Sequence, residues 1–211
     1  MDSVLLASFV DIKGHKKIAD LGAGCGVVGL ILAKRFPRSH VTLVELQDGM
    51  FELCTLNIEA NEMQGRVHAL HADIRKLKIE VMDVVVSNPP FRRPGTGRIA
   101  KGDAASARHE LDLPLHDLLR AAARALKPRG RIYMVYHPER LAEMIDAMRS
   151  VRIEPKRLRF VHGRQSTESR VVLVEAVREG RLGLKVEPPL FVFKDDSDEY
   201  TAEVAVMYQF C

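Results

Sequence analysis

A glycine-rich stretch near the N-terminus is the first candidate for chemistry. It reads Asp20-Leu21-Gly22-Ala23-Gly24-Cys25-Gly26 and falls where a predicted strand gives way to a predicted helix. Glycine permits positive φ and a close approach of the backbone to a ligand, and the first N–H groups of a helix are unpaired. The stretch therefore predicts a loop that binds a nucleotide-like molecule, with a tight packing turn as the alternative. Residues 24–29 also satisfy the G-x-G-x-x-G pattern of dinucleotide binding.

Two acids follow the glycines at positions typical of nucleotide recognition. Glu45 closes the second predicted strand, about 20 residues further on, where a carboxylate can accept both hydroxyl protons of a ribose. Asp73 follows the third predicted strand and is expected to reach the same crevice at the strand ends. We interpret Glu45 as a ribose ligand and Asp73 as a base ligand; taken alone, Asp73 equally suits a solvated turn or a helix cap. The pair fits NAD and S-adenosylmethionine equally well.

The segment Asn88-Pro89-Pro90-Phe91 follows the fourth predicted strand, and it distinguishes between these two cofactors. Its prolines fix φ and remove backbone donors, so the segment presents acceptors. The Asn88 side-chain oxygen and the Pro89 carbonyl can take the two protons of an NH2 group, and Phe91 offers a flat face for a planar group. Such acceptors favour a pyramidal transition-state nitrogen without a strong base. The segment predicts methylation of an NH2 nitrogen, whereas hydride transfer does not call for it; a turn without a chemical role is the alternative.

Alternating strand and helix patterns position these residues. Apolar runs alternate with segments of helical period from Lys16 to about Ile153, which predicts a parallel sheet with helices on both faces. The predicted strands are Lys16–Leu21, Val41–Glu45, Arg66–Leu70, Met82–Ser87 and Arg131–Tyr136. The predicted helices are Val27–Arg35, Gly49–Asn61, Pro114–Leu126 and Glu139–Arg149.

The last third of the chain changes character. Arg157–Val161 and Val171–Val177 predict two antiparallel strands joined by a polar loop. Leu184–Phe193 and Tyr200–Phe210 are predicted as terminal strands with an acidic turn between them. The expected result is an antiparallel edge on an otherwise parallel sheet.

Composition narrows the class of protein. The chain has 211 residues, 46% apolar and 28% charged, with a net charge of +4, and we expect one domain over residues 1–211. The N-terminus lacks the early basic residues of a secretory signal, and no apolar stretch approaches the roughly 20 residues that cross a bilayer. Three cysteines without Cys-x-x-Cys spacing predict neither disulfides nor a zinc site. We expect a cytoplasmic protein without metal or membrane partners, whose charge permits a nucleic-acid partner without requiring one.

Taken together, the glycine loop, Glu45, Asp73 and Asn88-Pro89-Pro90-Phe91 resemble the motifs of class I S-adenosylmethionine-dependent N-methyltransferases. Three further stretches resemble one branch, the bacterial tRNA adenine-N6 methyltransferases that act beside the anticodon of a valine tRNA. These stretches are Asp2-Ser3-Val4-Leu5-Leu6, Ala107-Arg108-His109-Glu110 and Glu187-Pro188-Pro189-Leu190. The resemblance extends over essentially the whole chain. It implies a Rossmann-like α/β fold with a mostly parallel seven-stranded sheet, an antiparallel C-terminal edge, helices on both faces, and S-adenosylmethionine as cofactor.

The resemblance also implies residue roles. Asp20 and the glycines would surround the methionine part of the cofactor, Glu45 its ribose and Asp73 its adenine. The expected cofactor-binding residues are Asp20, Gly22, Ala23, Gly24, Gly26, Glu45, Leu46, Asp73, Ile74 and Asn88. The expected catalytic residues are Asn88, Pro89, Pro90 and Phe91, with the target adenine drawn out of its stack onto Phe91.

Two departures from the family pattern stand out. Phe91 occupies a place where tyrosine is frequent, and this change keeps the stacking face. In the family a further segment precedes the Asp2-Ser3 match, whereas only Met1 stands before it here. We expect either a true start upstream or a more open cofactor site.

A basic loop follows the Asn88 segment and predicts contacts with RNA phosphates, most simply those of tRNA. The expected RNA-binding residues are Arg92, Arg93, Arg98, Lys101 and Arg108. A solvated loop is the alternative. His109 is expected to pack rather than to carry protons.

Other functions use similar residues. Methylation of a protein glutamine, as in release-factor methyltransferases, needs the same acceptors, but those enzymes carry a helical domain before the first strand. Methylation of guanine N2 in ribosomal RNA is a second alternative, although those enzymes usually add a duplicated domain. A further alternative is a binding module that keeps the fold but has lost catalytic activity. Such a module has no need to retain Glu45, Asp73 and Asn88 together, so their presence argues against it.

Overall fold

The computed structural model describes residues 1–89 and 114–210, and of residue 210 only the backbone. The strands in these ranges are β1 (Lys17–Leu21), β2 (His40–Glu45), β3 (Val67–His71), β4 (Met82–Ser87), β5 (Leu126–Tyr136), β6 (Ile153–His162), β7 (Ser169–Arg178), β8 (Lys185–Val186) and β9 (Leu190–Phe191). The α-helices are α1 (Asp2–Phe9), α2 (Val27–Arg35), α3 (Asp48–Ala60), α4 (Leu115–Ala125), α5 (Leu141–Ser150) and α6 (Ala202–Met207). Short 3-10 turns lie at Pro138–Arg140 and Tyr208–Phe210.

The strands form one sheet in the order β3-β2-β1-β4-β5-β7-β6-β8, with β9 also paired to β6. Strands β1 to β5 run parallel. Strand β7 runs antiparallel between β5 and β6, so β6 points the same way as β5. The α/β fold with a mostly parallel sheet is confirmed. The predicted count of seven strands is exceeded in the described residues, since two-residue strands β8 and β9 join the seven longer ones.

Apolar side chains cover both faces of the sheet. Ile18 belongs to the core under α1, α2 and α3, whereas its neighbour Ala19 belongs to the core under α4 and α5. Successive side chains of a strand point to opposite faces, so each central strand contributes to both cores. Helix α4 presents its buried residues at helical spacing, and these include Leu115, Leu118, Leu119 and Ala122. The expected helices on both faces are therefore confirmed.

Helix α1 precedes the first strand, in a segment for which the sequence patterns predict no element. Leu5 and Leu6 are buried in the first core. The Phe9 ring meets Tyr133 of β5 edge-on at 6.2 Å, and Arg157 of β6 donates a hydrogen bond of 2.8 Å to the Phe9 carbonyl. Helix α1 is thus anchored to the middle of the sheet.

The C-terminal segment Tyr200–Phe210 is not a strand, and that prediction is wrong. Alternating valines are typical of a strand, but Thr201 caps a helix by accepting a hydrogen bond from the Val204 N–H at 3.4 Å. Val204 is buried in the first core, and Glu203 pairs with Arg159 of β6 at 2.7 Å. Cap and packing together override the strand preference of the valines.

The prediction of one strand over Leu184–Phe193 is also wrong in extent. Strands β8 and β9 hold two residues each, and Glu187-Pro188-Pro189 lies between them. Proline has no N–H to donate, so two in succession interrupt the ladder.

The predicted start of the fifth strand also differs from the structure. Strand β5 begins at Leu126 rather than at Arg131, because Met82 of β4 pairs with Leu126 before an irregularity in the register. The predicted helix Pro114–Leu126 accordingly ends one residue earlier, at Ala125.

Gly29 of α2 allows the helix to approach β2 closely. A β-carbon at this position would lie 2.1 Å from a Leu43 methyl and 3.1 Å from a Val41 methyl. We predict that Gly29→Ala lowers the free energy of unfolding by about 1–3 kcal/mol, the usual loss for overpacking. Urea unfolding measures this change.

Gly49 of α3 supplies the matched control, because a β-carbon there meets nothing within 4 Å. Gly49→Ala is expected to be neutral or to stabilise by up to about 1 kcal/mol, as alanine is the better helix former. Equal effects of the two changes would contradict the proposed close approach.

Candidate functional site

The carboxyl ends of four parallel strands bring the predicted site residues to one edge of the sheet. The glycine loop follows β1, Glu45 ends β2, Asp73 follows β3 and Asn88 follows β4. These strands are neighbours in the order β3-β2-β1-β4. Such an edge is where open α/β sheets bind ligands.

The glycine loop has the backbone shape expected of a ligand-facing turn. Gly22 and Gly24 have φ of +72° and +57°, and a β-carbon on either would meet nothing within 4 Å. The side of the loop that carries these positions is therefore open. The Gly22 and Ala23 N–H groups donate to the Val44 carbonyl at 2.9 and 3.0 Å, which ties the loop to the end of β2.

Asp20 lies beneath this loop and not on its open side. Its side chain is buried, with 1% of the residue exposed, and one carboxylate oxygen accepts the Gly29 N–H of α2 at 3.0 Å. Burial, with the nearby Glu45 carboxylate as a smaller cause, raises the pKa of Asp20 to about 7. In this position Asp20 fixes the start of α2 against β1 and offers almost no surface to a ligand.

Glu45 is held by three backbone donors. Its Oε1 accepts the N–H groups of Leu46 and Gln47 at 2.8 and 2.9 Å, and its Oε2 accepts the Gly24 N–H at 2.7 Å. A carboxylate has about four acceptor positions, so Oε2 retains room for a ligand hydroxyl. A ribose bound through both hydroxyls would have to replace one of the backbone contacts.

The two carboxylates disfavour a dinucleotide. They already engage the N–H groups of Gly24 and Gly29, two donors that a diphosphate would use at a helix N-terminus. Glu45 would also repel the diphosphate. A nucleoside that carries a cation and no phosphate fits this charge distribution better.

Asp73 and its neighbours lie at the ends of β2 and β3. Arg75 holds the Asp73 carboxylate through its Nε and its backbone N–H, at 2.9 and 2.8 Å, and these bonds lower the pKa of Asp73. The Leu46 residue is 41% exposed and can pack on a ligand base, whereas Ile74 is buried in the second core. The ligand roles of these residues remain predictions.

Asn88 is positioned from a distant part of the sequence. Its Nδ2 donates to Ser3 Oγ of α1 at 3.1 Å, and the preceding Ser87 hydroxyl donates to the Leu21 carbonyl at 2.7 Å, which ties the end of β4 to β1. No donor among the described residues reaches Asn88 Oδ1. The amide oxygen is therefore available to accept a hydrogen bond from a ligand, and Pro89 beside it is buried.

The contact between Ser3 and Asn88 could not be predicted from the sequence. The two residues are 85 positions apart, and no spacing rule connects them. The resemblance of Asp2-Ser3-Val4-Leu5-Leu6 marked the segment without indicating what it contacts.

Several predicted residues lie outside the described ranges 1–89 and 114–210. They are the catalytic candidates Pro90 and Phe91, the RNA-binding candidates Arg92, Arg93, Arg98, Lys101 and Arg108, and the packing candidate His109. Within the described part of the chain, no group of three or more His, Cys, Asp or Glu side chains is placed to hold a metal ion. No helix in that part is long and apolar enough to span a membrane.

Comparison with known proteins identifies similar sequences and folds. The family described as methyltransferase small domain matches residues 1–160. A tRNA1(Val) (adenine(37)-N6)-methyltransferase of Tolumonas auensis is 33% identical over 147 residues, which cover 68% of this chain and 61% of that protein. The protein of the same name in Porphyromonas gingivalis is 30% identical over 184 residues, covering 82% of this chain and 72% of that protein. The match thus spans about three fifths of the first relative and nearly three quarters of the second.

Among solved structures, a predicted O-methyltransferase from Agrobacterium tumefaciens superposes with a TM-score of 0.81 and 26% identity. The superposition covers 100% of this chain and 96% of that one.

The buried position of Asp20 generates a prediction for stability. The unfolded chain loses the Asp20 proton near pH 3.8, whereas the folded chain keeps it until about pH 7. Between these values the folded state binds more protons, so this group makes the free energy of unfolding fall as pH rises. Asp20→Asn removes the titration and keeps an acceptor for the Gly29 N–H. We expect the variant to gain stability relative to the wild type from about pH 4 to 7 and the difference to level off above pH 7.

Urea unfolding at several pH values measures this difference. Asp196→Asn, a change at an exposed aspartate, serves as the control and is expected to show no such trend. A pH-independent difference for Asp20→Asn would rule out the raised pKa.

Proposed function

Because the chain belongs to the methyltransferase small domain family, we propose that it transfers a methyl group from S-adenosylmethionine to the exocyclic N6 of an adenine in tRNA. The observation that carries the proposal is Asn88 at the carboxyl edge, with its Nδ2 bound to Ser3 and its Oδ1 left to accept. The relatives named tRNA1(Val) (adenine(37)-N6)-methyltransferase support the choice of acceptor. A cytoplasmic location follows from a tRNA substrate.

The crevice beside Asn88 suits S-adenosylmethionine, which supplies an electrophilic methyl group on a sulfonium cation. Glu45 would hold the ribose through Oε2, which has an acceptor position left. The open side of Gly22 and Gly24 leaves space for the methionine part. Leu46 and Asp73, at the ends of β2 and β3, would flank the adenine. Asp20 acts from below by holding α2 and the loop in place.

The acceptor nitrogen is the chemical difficulty that Asn88 addresses. The lone pair of an adenine N6 is delocalised into the ring, so the nitrogen is a weak nucleophile. Asn88 Oδ1 and the Pro89 carbonyl would accept hydrogen bonds from the two N6–H groups and favour the pyramidal nitrogen of the transition state. As the N–C bond forms, the bond between the methyl carbon and the sulfonium sulfur would break and release S-adenosylhomocysteine. The nitrogen would then carry a positive charge and lose one of its protons to solvent, so no strong base is required.

Ser3 is a positioning residue in this scheme. An amide can present either its oxygen or its NH2 to the substrate, and in the orientation that the structure shows, Nδ2 is bound to Ser3 and the oxygen is left for the substrate. Helix α1 therefore contributes to the reaction through Asn88 without touching the substrate amine.

Other acceptors remain as outcomes of the test. A protein glutamine amide and guanine N2 also present an NH2 to Asn88. The solved structure from Agrobacterium tumefaciens is named for an oxygen acceptor. Identification of the methylated product separates these acceptors.

We predict that the protein incorporates labelled methyl from S-adenosylmethionine into unmodified tRNA as N6-methyladenosine. Asn88→Ala is expected to abolish transfer, while S-adenosylmethionine binding persists. Ser3→Ala is expected to lower kcat by about tenfold, as one orienting hydrogen bond is lost. Nucleoside digestion and chromatography identify the product.

Asn61→Ala is the matched control, since Asn61 is an exposed asparagine at the far end of α3. Substantial turnover by Asn88→Ala would remove the proposed role of the amide. Label in protein instead of RNA would move the assignment to a glutamine acceptor.

The role of Glu45 yields a separate prediction. Glu45→Gln replaces an acceptor oxygen with an NH2 group, so it is expected to weaken S-adenosylmethionine binding by about tenfold or more. Titration calorimetry measures the affinity, with Glu59→Gln on the exposed face of α3 as the control. Affinity within twofold of the wild type, or competition by NADH, would contradict the assignment.

A further inference from the structure

A second concave surface lies at the same edge of the sheet, beyond the crevice just described. It is a groove of about 330 Å³ between the first turn of α1 and the ends of β5, β6 and β7. Its polar lining comes from Asp2, His137, His162 and Arg170. The apolar lining includes Val161 and Val171, both buried, and the aromatic ring of Phe193. None of the residues assigned above to the cofactor lines this groove.

Helix α1 is the wall shared by the groove and the crevice. Ser3 bonds to Asn88 on one side, whereas Asp2 and Leu5 line the groove on the other. His137 directly follows β5, the strand next to β4. Neighbouring strands lie about 4.8 Å apart, so the groove starts within one or two strand spacings of Asn88.

Arg170 stands out among the charged residues of the groove. It is exposed at the start of β7, and its guanidinium makes no hydrogen bond or ion pair with any other described residue. By contrast, Arg164 on the adjoining loop pairs with Asp198 at 2.5 Å. Arg170 is therefore available to an anion that arrives with a ligand.

The mixed lining points to a nucleotide and not to a simple anion or an apolar ligand. Asp2 would repel a bare phosphate but accepts hydrogen bonds from the polar edge of a base. His162 offers a flat ring and its Nε2, since its Nδ1 donates to the Thr167 carbonyl at 2.7 Å, while the apolar lining suits the face of a base. Arg170 at the rim supplies the charge that a phosphate needs.

We propose that this groove binds the base of the nucleotide next to the methylated adenine, with Arg170 on the phosphate that joins the two. The proposal rests on RNA being the substrate. It assigns recognition of the flanking nucleotide to the strand ends of β5, β6 and β7, and methyl transfer to those of β1 to β4.

The phosphate contact is tested by binding of a fluorescent, unmodified anticodon stem-loop RNA to the full chain. Arg170→Gln is expected to raise Kd by about three- to tenfold. It should also reduce the slope of log Kd against log salt by about 0.7, the value for one single-stranded phosphate. Arg181→Gln is the control, because Arg181 is exposed beyond the opposite end of β7 and makes no side-chain ion pair among the described residues. Equal Kd and equal slope for the two variants would overturn the contact.

The base contact is tested by placing an abasic nucleotide in turn on each side of the target adenine. For the wild type, one of these positions should weaken binding by about fivefold or more, the lower end for loss of one stacked base. His162→Leu keeps an apolar side chain and removes the ring, so it should lose most of this sensitivity. Thermal unfolding verifies that the variant is folded. Insensitivity of the wild type, or the same sensitivity in His162→Leu, would overturn the proposal.

Methyl transfer by the same wild-type preparation separates the two proposals. If tRNA is methylated but Arg170→Gln and the abasic RNAs behave like their controls, the groove proposal alone fails. If S-adenosylmethionine binds but no RNA is methylated or bound, the proposed function fails, and the groove proposal fails with it.

Discussion

The contacts of two acidic side chains, one with the glycine loop and one with the first turn of α2, determine the geometry at the ends of β1 and β2. Asp20 holds the Gly29 N–H from below, and Glu45 holds the Gly24 N–H from the side. These bonds join β1, β2 and α2, the elements around which the sheet and the first core are organised. Because the acids neutralise donors that would otherwise attract anions, the same contacts bias the site toward a cationic nucleoside. Folding and ligand choice thus depend on the same few hydrogen bonds.

The part of the candidate site around Asn88 is held in place differently from the part around Glu45. Asn88 emerges from β4, its side chain is oriented by Ser3 of α1, and α1 is in turn anchored on β5 and β6 through Phe9. The orientation of the Asn88 amide therefore depends on the packing of α1, a helix about 80 residues earlier in the sequence. A loss of packing under α1 would change the orientation of the Asn88 amide without altering the contacts of Glu45 and Asp20.

Local patterns predicted the parts of this structure that local physics decides. The strand before the glycines, helix α2 and the acid at the end of β2 all follow from apolar spacing and glycine placement, and the structure confirms their positions. The patterns failed where distant contacts decide. Val204 and Val206 indicated a strand, but a Thr201 cap and burial against the first core produce a helix. The bond from Asn88 to Ser3 and the burial of Asp20 are likewise properties of the assembled sheet, which no spacing within one segment reveals.

The antiparallel placement of β7 has a consequence for how such a protein can diversify. It places the loop between β6 and β7 at the edge where the glycine loop and Glu45 lie, yet no hydrogen bond among the described residues links that loop to the glycine loop. Insertions and substitutions in such a hairpin are tolerated far better than changes in a buried strand. Residues 163–168 can therefore vary without altering the hydrogen bonds that Asp20 and Glu45 make at the ends of β1 and β2.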